Sequence, residues 1–331
     1  MDRVSAHIFS ASRRTDIPAF FTPWLMERIR AGFVMVRNPR NAAHVMRVSL
    51  ASDDVVAMVF WSRDYGRLLP HLSEIDDRGL RPIFQFTFTG YGAPLERDSP
   101  PLGRVLGQFE QLAARYGRER VVWRYDPIVC SDARSANWHV GRFEGYAAQL
   151  DRVSGGCVLS FLDLYPSTRR ALAAIADRTA EQFVAPTLEQ RIALSRELTL
   201  RGEAAHLKVS LCCEPDVAAH GLRPARCIDP DLVRAVAADP MLEFKDAPTR
   251  KGCGCVHARD IGAYHSCAHG CEYCYATETP EIGQANAKAV SVSANHLGQG
   301  DIEEAIPPRR TKGQQLALPG VAGKRGKTRG P

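Results

Sequence analysis

Along residues 1–245, short β-branched or aromatic runs alternate with stretches whose apolar residues recur every three or four positions. That alternation is the pattern of strands separated by amphipathic helices. Residues 6–10, 33–36, 55–61, 82–88, 120–125, 158–162 and 206–211 read as seven strands, and 242–245 as a short eighth. Between them, Leu25, Met26 and Ile29 share one helical face, followed by Leu68, Leu69, Leu72 and Ile75. Leu102, Val105, Phe109, Leu112 and Tyr116 mark a third helix, and Trp138, Phe143, Tyr146 and Leu150 a fourth. Two more are expected near 167–177 and 187–201. Thr22-Pro23 supplies a cap and first-turn proline, while Gly32, Gly79 and Gly117 act as stops.

Seven to eight such units predict an α/β fold, a TIM-like (β/α) barrel, with a doubly wound open sheet as the rival. The barrel is preferred because polar residues recur just after successive strands: Arg13, Arg14 and Asp16; Asn38; Ser62 and Arg63; Arg124 and Asp126; Asp163 and Tyr165; Glu214; Lys245 and Asp246. In a barrel these converge on the face that carries chemistry. In the fourth strand Phe84, Phe86 and Phe88 share one face, and Gln85, Thr87 and Thr89 the other. A polar row in a buried parallel sheet points to the interior or to a ligand.

The expected organisation is a barrel over residues 1–249, a cysteine-rich metal-binding segment over 250–280, and a basic tail over 281–331 with too little apolar surface to fold. Charge supports the last boundary. Arg309, Arg310, Lys312, Lys324, Arg325, Lys327 and Arg329 stand in 305–331 with no acidic residue, leaving 36 of the 43 Lys and Arg against all 37 Asp and Glu in the rest. The body is thus electrically balanced, and the tail is the candidate nucleic-acid contact. Gln315-Leu316-Ala317-Leu318-Pro319 is similar to the peptide by which bacterial repair proteins dock on the sliding clamp, without its final aromatic; a linker is the alternative. The longest apolar run, 55–61, is far too short to span a membrane. The N-terminus lacks the features of a signal peptide, so a cytoplasmic protein is expected.

Ten cysteines in that compartment read as ligands, catalytic thiols or buried side chains rather than disulfides. Only Cys130 and Cys157 precede residue 212; the other eight lie between Cys212 and Cys274. Cys267, Cys271 and Cys274 have CxxxCxxC spacing, with Tyr273 before the third. Three soft thiolates suit a [4Fe–4S] cluster with one open iron; a zinc site completed by a nearby Cys or His is the alternative. Cys213 (or Cys212), Cys227, Cys253 and Cys255 form a second set, fit for another Fe–S cluster or zinc, or simply buried. Arg13, Arg63, Arg124 and Asp126 are the candidate substrate or cofactor contacts, the alternative being that the arginines pair internally with Asp16, Asp64 or Asp126. Lys208 and Lys245 are weaker acid–base candidates. No P-loop, GxGxxG after a strand, or HExxH is present.

Ser12-Arg13-Arg14-Thr15-Asp16-Ile17-Pro18, Arg37-Asn38-Pro39, Phe60-Trp61-Ser62, Gln85-Phe86-Thr87, Trp123-Arg124-Tyr125-Asp126-Pro127-Ile128, Cys227-Ile228-Asp229, Cys253-Gly254-Cys255 and the stretch 260–276 resemble the bacterial family called domain of unknown function 1848. The resemblance covers about residues 8–278. It implies a C-terminal cysteine cluster similar to that of radical S-adenosylmethionine enzymes. On that similarity Cys267, Cys271 and Cys274 would ligate a [4Fe–4S] cluster whose open iron binds S-adenosylmethionine, and a redox partner would act as electron donor. In those enzymes the cysteine loop follows the first strand, whereas here it follows the last. A nucleic-acid-associated repair or binding protein with a structural Fe–S or zinc site is the other functional class in view.

Overall fold

The computed structural model describes residues 6–303. The strands are β1 (His7–Ala11), β2 (Phe33–Asn38), β3 (Asn41–Ser49), β4 (Val55–Ser62), β5 (Pro82–Thr87), β6 (Val121–Ile128), β7 (Gly156–Phe161), β8 (Lys208–Leu211) and β9 (Arg259–Asp260). The helices are α1 (Ile17–Phe20), α2 (Thr22–Ala31), α3 (Leu72–Asp77), α4 (Leu102–Tyr116), α5 (Ala136–Leu150), α6 (Pro166–Thr179), α7 (Leu188–Ala204), α8 (Pro215–Ala218), α9 (Pro230–Ala237) and α10 (Pro280–Ala289). Gly32 ends α2 in the left-handed conformation, at φ 74°. Among the described residues no helix is long and apolar enough to cross a membrane.

Seven strands form one parallel sheet in the order β8-β7-β6-β5-β4-β1-β9. This corrects the barrel expectation, because β8 and β9 are the two edges of an open sheet and do not pair. Two of the expected staves are missing for identifiable reasons. The run at 33–36 becomes β2, which turns back at Asn38 to pair antiparallel with β3 in a separate hairpin. The run at 242–245 forms no strand; near it only an isolated Asp246–Val256 bridge is present.

Alternation within each strand divides the sheet into two faces. Phe9, Phe60, Phe84, Phe86, Trp123, Tyr125 and Leu159 pack in the main core with residues of α2, α4, α5 and α7, and Phe86 stacks on Phe109 at 4.2 Å. Ile8, Ala57, Val59, Ile83 and Val158 point the other way and are covered by Ile228, Val233, Val236 and Val256, from α9 and its flanking loops. Both faces are therefore dry, which is why the strands read as nearly continuous apolar runs. The polar interruptions lie on this second face. Gln85 donates from Nε2 to the Cys227 carbonyl at 3.0 Å, so the polar row faces the covering segment.

The segment expected to begin the tail is ordered at its start. α10 begins with Thr279, whose side chain caps Ile282 N, and Pro280 at its first position. Beyond it, Trp24 Nε1 on α2 donates to the carbonyls of Ala294 and His296 at 2.9 and 3.0 Å. Residues 304–331, with the basic cluster and the clamp-like peptide, lie outside the described residues.

Candidate functional site

A cavity of about 540 Å³ opens at the C-terminal ends of β1 and β4 to β8, where ligands bind in open parallel sheets. Arg13, Arg63, Arg124 and Asp126 line it, and so do Cys213, Cys227, Cys253, Cys255, Cys267, Cys271 and Cys274. These sequence-derived candidates thus share one space, whereas Lys208 and Lys245, the weaker acid–base candidates, do not line it. Cys212, Asp16, Trp61, Asp260, His269 and Tyr273 line it too. Cys157 instead packs in the main core.

The loop after β1 is built round Asp16. Its carboxylate accepts from Ala19 N at 2.9 Å, Ser62 Oγ at 2.7 Å and Arg63 N at 2.8 Å, and meets His269 Nε2 at 2.7 Å. Asp16 therefore caps α1, fixes the end of β4 and orients a histidine of the cysteine loop in one step. The neighbouring Asp260 on β9 accepts from Ser12 Oγ at 2.6 Å, Arg13 N at 2.8 Å and Gly262 N at 3.0 Å. Its contact with the Arg13 guanidinium is long, 4.0 Å.

Arg63 at the end of β4 forms a buried ion pair with Glu96 at 2.7 Å, and Tyr273 O–H bonds both: it accepts from Arg63 Nη2 at 2.9 Å and donates to Glu96. Thr89 Oγ1 also donates to Glu96, at 2.6 Å. Burial, which pushes the Glu96 carboxyl up, is outweighed by Arg63 and these hydrogen bonds, so its pKa lies below the ordinary value. Arg63 stays charged against burial because Cys271 and Glu96 face it. Main-chain pairing of Glu96 with Cys271, and Glu272 N to Leu95 O at 3.0 Å, pin the cysteine loop to this corner.

On β6, Arg124 bonds Asp126, which also accepts from Ser160 Oγ. Burial of Asp126 is outweighed by Arg124 and Ser160, so this carboxyl too is held low. Arg124 Nη1 reaches the Cys227 thiol at 3.0 Å and Gln85 Oε1 at 3.3 Å. Trp61 lies beneath both Arg124 and Arg13, at 5.0 and 5.7 Å from its ring centroid, with its indole N–H on Ser10 at 2.9 Å. Two of the three candidate arginines are therefore internally paired, and Arg13 keeps the loosest ion pair.

Cys267, Cys271 and Cys274 are half-buried residues of the cavity wall. Burial raises Cys271 to about 12, against the pull of Arg63. Burial first, then Cys274, raises Cys267 well above the ordinary thiol value. Among the described residues no three His, Cys, Asp or Glu side chains form a ready-made site for one metal ion. The three thiols instead stand as separate donors on one loop, within electrostatic reach of each other. That donor set fits a cubane cluster, in which each thiolate takes its own iron. The helix α10 follows this loop directly: a Cβ on Gly283 would lie 2.1 Å from the Cys267 carbonyl oxygen, so the loop backbone rests on the helix.

The sequence reading passed over Glu96, Asp260 and the role of His269. Glu96 lies in an irregular loop with no period to mark it. Asp260 has a signal, an Arg-Asp pair between cysteines, that is recognisable only once β9 joins β1.

A search of curated proteins returned no match. The family model described as Domain of unknown function (DUF1848) matches residues 8–276, which takes in β2 to β9, all of β1 but its first residue, and the whole cysteine loop. The chain belongs to the family described as domain of unknown function DUF1848.

Proposed function

We propose that the chain is an iron–sulfur protein whose cavity at the strand ends is an active site, with Cys267, Cys271 and Cys274 holding a [4Fe–4S] cluster. The observation that carries this reading is the convergence of three CxxxCxxC thiols with Arg13, Arg63, Arg124 and Asp126 on one cavity. When bound, such a cluster supplies one-electron transfer and an open, Lewis-acidic iron. The chain's own groups divide the remaining work. Arg13, with only a 4.0 Å contact to Asp260 and the Trp61 ring beneath it, is the group placed to take a carboxylate or phosphate. Arg63, locked between Glu96 and Tyr273, sets the charge facing Cys271 and positions the loop. Arg124 and Asp126 form a dipolar floor that Ser160 orients, offering an acceptor to a substrate N–H or O–H. S-adenosylmethionine, whose amino and carboxylate groups suit such a cavity, is the proposed cofactor, and a low-potential electron donor the proposed partner.

Anaerobic reconstitution tests the reading. Iron and acid-labile sulfide in near-equal amounts, with an EPR signal on reduction, are expected; a protein holding stoichiometric zinc and no iron overturns it. Cleavage of S-adenosylmethionine to 5′-deoxyadenosine by the reduced protein then decides the cofactor, independently of the cluster.

A further inference from the structure

The cavity carries two arginines whose guanidiniums the chain itself leaves largely unsatisfied. Arg13 and Arg14 follow β1, and both lie beside Asp260, at 4.0 and 3.9 Å. Asp260 has no capacity left for either, because each of its oxygens already accepts two hydrogen bonds. Oδ1 takes them from Ser12 Oγ at 2.6 Å and Gly262 N at 3.0 Å, and Oδ2 from Arg13 N at 2.8 Å and Ser10 Oγ at 3.3 Å. Among the described residues the Arg13 guanidinium donates no hydrogen bond, and that of Arg14 only one, from Nη1 to Gly262 O at 3.3 Å. The other acids of the cavity wall are matched: Asp126 by Arg124, Asp163 by Arg250 and Asp16 by His269.

Aromatic rings stand beside these two forks. Arg13 lies over Trp61 at 5.7 Å and Arg14 over Tyr264 at 5.6 Å. His265 N donates to Ala276 O at 2.8 Å, which sets Tyr264 and Tyr275 on two paired segments. Tyr275 O–H donates to the Arg13 carbonyl at 2.7 Å and so ties its ring to the loop after β1. A Cβ on Gly262 would stand 2.1 Å from Ser12 Oγ, so the segment leading to Tyr264 rests directly on that loop. Both tyrosines line the cavity, yet they are 41 % and 61 % exposed. Rings of this size are usually buried by the fold or by what it binds.

We propose that Arg13, Arg14, Tyr264 and Tyr275 form a subsite for a nucleotide unit, with its phosphate on the two guanidiniums and its base on the tyrosine rings. The proposal rests on the reading of the cavity as an active site, but not on the cluster. Two guanidinium forks exceed what the two oxygens of one carboxylate can fill, whereas a phosphate monoester offers three terminal oxygens and up to two charges. A base supplies the flat π-face on which tyrosines stack.

Calorimetric titration of the full chain, purified anaerobically, tests this with adenosine 5′-monophosphate, ribose 5-phosphate and adenosine. The monophosphate should bind most tightly. Tyr264→Ala should weaken it by roughly 5- to 150-fold, the range of base-stacking losses, and leave ribose 5-phosphate unchanged, while Tyr264→Phe keeps full affinity. Arg14→Ala should weaken both phosphates by roughly tenfold or more and leave adenosine unchanged. Variants that weaken all three ligands alike overturn the proposal, as does a monophosphate that binds no more tightly than inorganic phosphate. Displacement of the monophosphate by S-adenosylmethionine also overturns it, since the subsite would then be the cofactor's own. If an alanine variant does not fold, the comparison of ligands on the wild type still decides. A single-stranded oligodeoxyadenylate identifies the source of the unit: tighter binding than the monophosphate assigns the subsite to a strand, weaker binding to a free nucleotide, and either upholds it. Wild-type protein with zinc and no iron would end the cluster reading and leave these titrations standing; iron with no nucleotide binding would do the reverse.

Discussion

Burying the Glu96 carboxylate beside Arg63 strands whichever charge is left when the other is removed. Glu96→Gln leaves Arg63, a residue only 8 % exposed, with its guanidinium facing a neutral amide and Tyr273. A loss of roughly 3–5 kcal/mol is expected, measured by urea unfolding of both proteins at neutral pH. His139 makes a pH prediction. Its ring bonds Tyr125 O–H at 2.8 Å and the Val129 carbonyl at 3.0 Å, and burial lowers its pKa from 6.5 to about 4. Between those values the unfolded chain takes up a proton that the folded one refuses, so stability present above 6.5 falls as the pH drops to about 4, by roughly 3 kcal/mol. Unfolding free energies across that range should show the slope, and His139→Gln should flatten it while starting lower. Arg63, Arg124 and Asp126 were legible because each lies in or at the end of a strand that periodicity locates. Glu96 was not, because nothing local distinguishes a buried loop carboxylate from a solvated one.

The elements show the same division. Strands β4 to β8 and helices α4 to α7 fall close to where apolar period places them, because each buries a face that only that period can supply. The hairpin of β2 and β3 was misread since a strand's own sequence does not name its partner, and Asn38-Pro39 serves a reversal as well as a loop into a helix. Helix α10 was missed because burial hardly marks it: within it only Gly283 is buried. Its contribution is close backbone approach. Gly283→Ala should improve helix propensity by about 1 kcal/mol, yet the new methyl meets the Cys267 carbonyl oxygen. A net loss of about 1–3 kcal/mol is expected from such overpacking. Thermal unfolding and the iron content after reconstitution should both fall; a rise in melting temperature with full iron would show that the loop is free to move off the helix.

At the scale of the molecule, the polar residues of β1, β4, β6 and β7 and the loops after them meet in one cavity without the closure expected of them, whereas Asn38, Glu214, Lys245 and Asp246 do not line it. Parallel strands joined by crossovers bring their C-terminal ends to one edge whether or not the first and last strands pair, so that inference survived the loss of the barrel. What the sequence could not convey was that the second face of the sheet is covered by the cysteine-bearing segment itself, so that one stretch is both lid of the core and wall of the cavity. A further consequence concerns synthesis. β9 docks on β1, and Asp260 accepts from Ser10, 250 positions away. At 5–20 residues per second the ribosome needs roughly 13–50 s to travel between them. During that interval β1 has a bare edge and the inner face of β4 to β7 lacks its cover. A chain that has reached β8 but not β9 therefore exposes apolar surface and an unpaired strand edge. Docking of the last segment is the event that ends this exposure, so a chain that stops short of β9 should aggregate rather than merely lack activity.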